Sequence, residues 1–170
     1  MSTIEKKSLK VGKYVDNDHV DKVIRTYKQE RWIQNSERLG KEDSLSSWYS
    51  VEELEEFIDT IKEHGANGIR IYFAAYPKDF APEPQYAGRQ TLVMVATKSK
   101  REAGKLYHKE VHTVENGKPQ ILAYNYGSLC PPFGCTPPPV TPSKAAPSKE
   151  AAAALGVMLI DRGEQGFSVV

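Results

Sequence analysis

The sequence predicts an α+β fold: an antiparallel sheet of four to five strands, two N-terminal helices packed on one of its faces, and a proline-rich C-terminal strap. Three stretches carry the prediction. Residues 50–65 read as a capped amphipathic helix with a tight stop. Residues 69–76 and 91–98 are apolar, strand-like runs whose connecting loop is too short for a helical crossover, so the strands pair antiparallel. Asn116-Gly117 then sits between two more strand-like runs, and a type I′ hairpin turn needs positive φ at both central residues.

The elements follow in order. Residues 18–39 form the first predicted helix: Asp16, Asn17 and Asp18 offer caps and negative charge at the positive end of the dipole. Val20, Val23, Ile24 and Tyr27 share one face, and Gly40 follows the last turn. The stripe weakens past Tyr27, where Glu30 and Arg31 interrupt it, and Trp32 and Ile33 re-aim it. Residues 40–47 read as a polar loop. In the second helix Ser50 and Glu53 make a capping box. Val51, Leu54, Phe57, Ile58 and Ile61 form its apolar stripe, and Gly65 takes the C′ position. In the first strand Ile69, Ile71 and Phe73 point one way, toward that stripe, and Arg70, Tyr72 and Tyr76 the other. Pro77, Pro82 and Pro84 keep the next segment out of a sheet centre. The run LVMVA is apolar on both faces, which predicts a central strand. Strands over 106–114 and 120–126 flank the Asn-Gly turn.

At 170 residues the chain fits a single α+β domain over residues 1–129, a strap or linker over 130–147, and a short C-terminal element over 148–170, packed on the domain or left as a tail. The strap holds seven of the eleven prolines, which rules out helix and inner strand there. Ser148 is placed to cap a short helix; residues 156–160 offer an edge strand instead. With 23 basic and 22 acidic residues the net charge is +1, which argues against a broad nucleic-acid surface. No apolar run reaches the length of a membrane span, and the N-terminal lysines precede no apolar leader segment, so the sequence predicts a cytoplasmic location.

Four sets of residues are candidates for chemistry. Arg70, Tyr72 and Tyr76 place an arginine among aromatics on one strand face, suited to an anionic or stacking ligand; the structural alternative is an arginine paired with a helix glutamate and tyrosines packed under the strap. Tyr124 and Tyr126 offer a docking surface or pocket lining, or a strand end covered by the Pro131–Pro132–Phe133 segment. His108 and His112 with Cys130 and Cys135 have the composition of a zinc site. On a strand, however, two such histidines share a face while standing roughly 13 Å apart, and HKEVH lacks the glutamate position of an HExxH helix. The cysteine pair by itself admits free thiols, a disulfide or a metal. No P-loop, GxGxxG, GxSxG or EF-hand pattern occurs in the sequence.

The words GIRIYFAAYP, LVMVATK and YNYGSLCPPFGC, over residues 48–135, together resemble small uncharacterised bacterial proteins with an RIYF-like strand, a VATK-like strand and a Cys-Pro-Pro segment. The resemblance implies a single bacterial domain and no activity. The functional expectation is a soluble, non-enzymatic interaction or structural module that takes a protein partner or self-associates and needs no cofactor. One alternative is a small enzyme using the Arg70/Tyr72 face or the neighbourhood of His108 and His112. Another is a metal protein binding zinc through Cys130 and Cys135.

Overall fold

The computed structural model of the chain describes residues 10–135 and the backbone of residues 159–161 and 167–169. It mixes helices with antiparallel sheets. The chain forms two compact units. One contains Ser46–Leu129; the other contains Lys13–Leu45 and continues from Cys130.

The unit that starts at Lys13 is built on one long helix. Asp16 caps it by accepting the His19 backbone N–H at 2.8 Å, and α1 runs Asn17–Tyr27. A π-helical turn, Lys28–Trp32, follows, and α2 (Ile33–Leu39) ends at Gly40 with φ +68°. The π turn begins where the apolar stripe fails. One extra residue in a turn rotates the following face and re-phases the pattern. Trp32 then reaches back, its indole N–H donating to the Asp43 carbonyl at 2.7 Å, while Ser36 Oγ accepts the Asp43 N–H at 2.8 Å. These bonds fasten the loop after the helix. That loop in turn holds the Cys-Pro segment: Leu45 N–H donates to Cys130 O at 2.7 Å and Ser44 Oγ donates to Pro131 O at 2.9 Å.

The other unit opens with β1 (Ser46–Trp48), which begins in the last two residues of the expected polar loop, and continues into α3 (Val51–Glu63). The capping box is complete. Ser50 Oγ accepts the Glu53 N–H at 3.1 Å and Glu53 Oε2 accepts the Ser50 N–H at 2.9 Å. The Ser50 backbone N–H, and then the Ser50 and Tyr124 hydroxyls, hold the Glu53 carboxyl below its ordinary pKa. A carboxyl depressed in the folded state stabilises above its unfolded pKa, and that contribution fades as pH falls through the folded value. Ser50→Ala removes the hydroxyl that accepts the Glu53 N–H and is expected to lose about 1 kcal/mol at neutral pH. Its deficit relative to the native chain should shrink in acid, as read from urea midpoints between neutral pH and the acid range.

The main sheet runs β2 (Gly68–Ala75), β3 (Gln90–Glu102), β4 (Lys105–Glu110), with β5 (His112–Glu115) and β6 (Lys118–Ile121) forming a separate hairpin. Next, β7 (Ala123–Tyr124) returns to β3, opposite Met94 and Val95, and β8 (Ser128–Cys130) pairs with β1. The antiparallel β2–β3 pairing and the central place of β3 agree with the sequence reading. The hairpin needs correction. Asn116 and Gly117 do take positive φ, 49° and 75°, but the strand before them is broken. A second tight turn at Ala103-Gly104, φ 50° and 78°, folds β4 onto β3. At Val111 the chain leaves the sheet: Val111 N–H donates to Ala96 O, and Val111 O accepts the Leu122 N–H. In the unit that continues from Cys130, β9 (Leu159–Asp161) and β10 (Phe167–Val169) pair antiparallel with each other. The rest of the expected strap beyond residue 135, and the element from Ser148 up to residue 158, lie outside the described residues.

The core is also displaced from where the sequence put it. Phe57 and Ile61 bury against Ala66, Met94 and Ala96, with Tyr49, Leu54, Val111, Leu122 and Tyr124 around them. The helix thus lies over β3 and β7. Ile69, Ile71 and Phe73 were expected beneath it, but they sit on the edge strand beyond its reach, and Phe73 is 84 % exposed. Val51 and Ile58 are likewise exposed. A second apolar cluster holds Tyr76, Tyr86 and Leu129, with Phe80 against it.

Candidate functional site

Two features of the main sheet meet at β2. The first is a polar cluster on one face. Alternation along the paired strands brings Arg70 and Tyr72 of β2 together with Thr97 and Ser99 of β3 and with His108 and Glu110 of β4. Arg70 Nη2 donates to the His108 carbonyl at 2.9 Å and Nη1 to the Tyr72 hydroxyl at 3.3 Å. The Tyr72 hydroxyl donates to Glu110 Oε1 at 2.7 Å, and Arg70 stands 3.9 Å from the same oxygen. The guanidinium lies 5.9 Å from the Tyr72 ring centre. Its pKa is raised, first by the Tyr72 hydrogen bond and to a smaller extent by the Glu110 charge. So the arginine is paired, as the structural alternative expected, but with a strand glutamate instead of a helical one.

The second feature is the open side of β2. The strand pairs only with β3 among the described residues, and its other edge carries Ile69, Ile71 and Phe73, at 37, 54 and 84 % exposure. Which backbone groups point outward follows from the ladder. Ala96, opposite Ile69, spends its N–H on Leu122 O and its C=O on Val111 N–H, both on the side away from β2. Ile69 therefore turns its own N–H and C=O to the open edge, and by alternation so do Ile71 and Phe73. At the far end Tyr76 N–H donates inward to Arg89 O, in the same parity.

The remaining predicted residues separate. Tyr76 is 8 % exposed, its ring 4.4 Å from Phe80 and 5.6 Å from Tyr86, and its hydroxyl donates to Asn125 Oδ1 at 2.6 Å. Burial pushes its pKa up. Tyr124 stacks on Phe57 at 5.2 Å and donates to Glu53 Oε1 at 3.1 Å; burial and the Glu53 carboxylate raise its pKa. Both are packing residues. Tyr126 is 58 % exposed and left-handed, φ +70°. His108 hydrogen-bonds Ser99 Oγ through Nδ1 at 2.9 Å, whereas His112 lies in the β5–β6 hairpin. Cys130 and Cys135 form a disulfide, Cα–Cα 5.1 Å, so their sulfurs carry no thiolate to offer a metal in this state. Among the described residues, no group of three or more His, Cys, Asp and Glu side chains is placed to hold an ion. No helix among them is long and apolar enough to cross a membrane.

Sequence reasoning missed Ser99, Glu110 and the open edge. The period of two in KLYHKE does put His108 and Glu110 on one face, but joining them to Arg70 requires the Ala103-Gly104 turn that sets the β3–β4 register.

Comparison with known protein families, with curated proteins and with solved structures gave no match.

Proposed function

We propose that this chain is a non-enzymatic interaction module whose working surface is the open edge of β2. The observation that carries the reading is an eight-residue edge strand with an exposed apolar row and outward backbone groups. Such an edge offers main-chain hydrogen bonds for affinity and alternate side chains for selectivity, which is how strand-addition partners are held. Protein edges are usually guarded by lysine, proline or a bulge. Here the one charge, Arg70, faces the polar side and is already tied to Glu110.

The expected result is that immobilised full-length protein retains a defined set of binders from a lysate. The Ile71→Lys/Phe73→Lys variant should lose them while keeping its circular dichroism and unfolding midpoint, because both side chains are exposed. Equal retention by both proteins, or none by either together with a monomeric native chain, would count decisively against the reading.

The alternative, a small enzyme on the Arg70 face, is supported by the Ser99–His108 hydrogen bond. His108 is exposed, however, and a nucleophile–base pair gains most where water is excluded. A zinc site on Cys130 and Cys135 would require their disulfide to be reduced first. That disulfide also bears on location: such bridges persist in oxidising compartments and are rare in cytoplasm, against the sequence expectation.

A further inference from the structure

We infer that the occupant of the β2 edge is a second copy of this chain, paired antiparallel about a two-fold axis through Ile71. The inference rests on the proposed edge-binding function and adds the partner and the register. It follows from the residues that would face one another. Ile69, Ile71 and Phe73 direct their backbone groups outward, so hydrogen-bonded pairing must place these residues opposite one another. Four registers satisfy that condition and keep more than half of the strand paired; the one centred on Phe73 leaves Ile69 and Arg70 beyond the paired segment. Centring on Arg70 sets Arg70 directly against Arg70 of the second copy, and like charges opposite each other are unfavourable. Centring on Tyr72 leaves Ile69 opposite Ala75 and Arg70 opposite Ala74 of the second copy, so neither finds a matched side chain. Centring on Ile71 pairs residues 68–74 among themselves and leaves only Ala75 without a β2 partner. Ile71 faces itself, Ile69 faces Phe73, Arg70 faces Tyr72, and Gly68 faces Ala74 of the second copy.

The two faces of the strand are served together. On one, the three exposed apolar side chains of each copy merge into a continuous strip. On the other, each Arg70, already 5.9 Å from its own Tyr72 ring and 3.9 Å from its own Glu110, stands opposite Tyr72 of the second copy, so the charge meets an aromatic and no like charge. The axis is perpendicular to the sheet, so both α3 helices lie on the same side. The two four-stranded sheets become one.

Sedimentation equilibrium on the full chain is expected to show a dimer. Under mild oxidation, Ile71→Cys should form a cross-linked dimer at least about tenfold faster than Ile69→Cys or Phe73→Cys alone. Ile71 faces itself at a Cα separation of about 5.5 Å, within the range a disulfide bridges. Ile69 and Phe73 each stand roughly 13 Å from their own copies along the strand. Mixing Ile69→Cys with Phe73→Cys should give the mixed cross-link, identified by peptide mass to separate it from exchange with the Cys130–Cys135 bridge. A dimer whose cross-links fall at 69–71, at 71–73 or outside β2 overturns the proposal. So does a chain that stays monomeric at the highest accessible concentration. If that monomer still loses its lysate binders in the Ile71→Lys/Phe73→Lys variant, only the self-pairing has failed; if it binds nothing, the edge-binding function has failed with it.

Discussion

Phe57→Ala is expected to lower the unfolding free energy by about 3–5 kcal/mol, the range for removing a large aromatic from a packed core. The side chain is 5 % exposed, in one cluster with Ile61, Met94 and Ala96, and its ring stacks on Tyr124 at 5.2 Å. Tyr124 has a second tie, to Glu53 on the same helix, so the lost ring leaves a void whose walls are held from both sides. Few neighbours can close it, which puts the cost toward the upper end. Domains of ordinary stability hold only about 5–15 kcal/mol, so the variant should be partly unfolded near physiological temperature. The contrast is Ile58→Ala, one residue along the helix. The sequence puts Ile58 in the same buried stripe, yet it is 36 % exposed. Its loss should be well under half that of Phe57→Ala. Urea unfolding of both, followed by circular dichroism, checks this; equal losses would mean that α3 does not pack over β3 as described.

That contrast also marks how far the sequence could be read. The helix starts and stops were legible because they are local chemistry: Asp16, Ser50 with Glu53, Gly40 and Gly65 act within one turn of their own position. So was the antiparallel β2–β3 pair, since a short proline-bearing loop permits little else. What failed was long-range. The alternation of Ile69, Ile71 and Phe73 correctly grouped them on one face, and that face is the helix side of the sheet. Alternation says nothing about how far across the sheet the helix reaches, and here it stops at β3. The same limit hid the polar cluster. Arg70 and Tyr72 were visible as a pair two residues apart, but Glu110 joins them only through the β3–β4 register. That register is set at Ala103-Gly104, a weaker turn signal than Asn116-Gly117. Alternation puts Tyr76 on the same face as Arg70 and Tyr72. The parity was right, but beyond the strand end the Pro77–Arg89 loop supplies Phe80 and Tyr86 to bury it.

Gly127→Ala is the second substitution with a large expected effect, and its cause is purely steric. Gly127 is not among the positive-φ residues, so alanine could adopt its backbone conformation without strain. The space is what fails. A Cβ placed there meets Ser47 Oγ and the Tyr49 ring, with Cε2 at 2.6 Å. Ser47 can turn away. Tyr49 has less freedom, because its ring packs against Tyr124 and on the core that holds Phe57 and Met94. The glycine therefore lets the segment entering β8 pass directly beneath Tyr49, where β8 pairs with β1. Overpacking of this kind costs about 1–3 kcal/mol. Tyr49→Leu supplies the test, since it removes the ring that the new methyl would strike. In the Tyr49→Leu background, Gly127→Ala should cost at least about 0.5–1 kcal/mol less than in the native chain, the size of coupling measured between residues in contact. An equal cost in both backgrounds would place the penalty in the backbone and not in the ring, and the close approach of Gly127 to Tyr49 would then not be what requires glycine at this position.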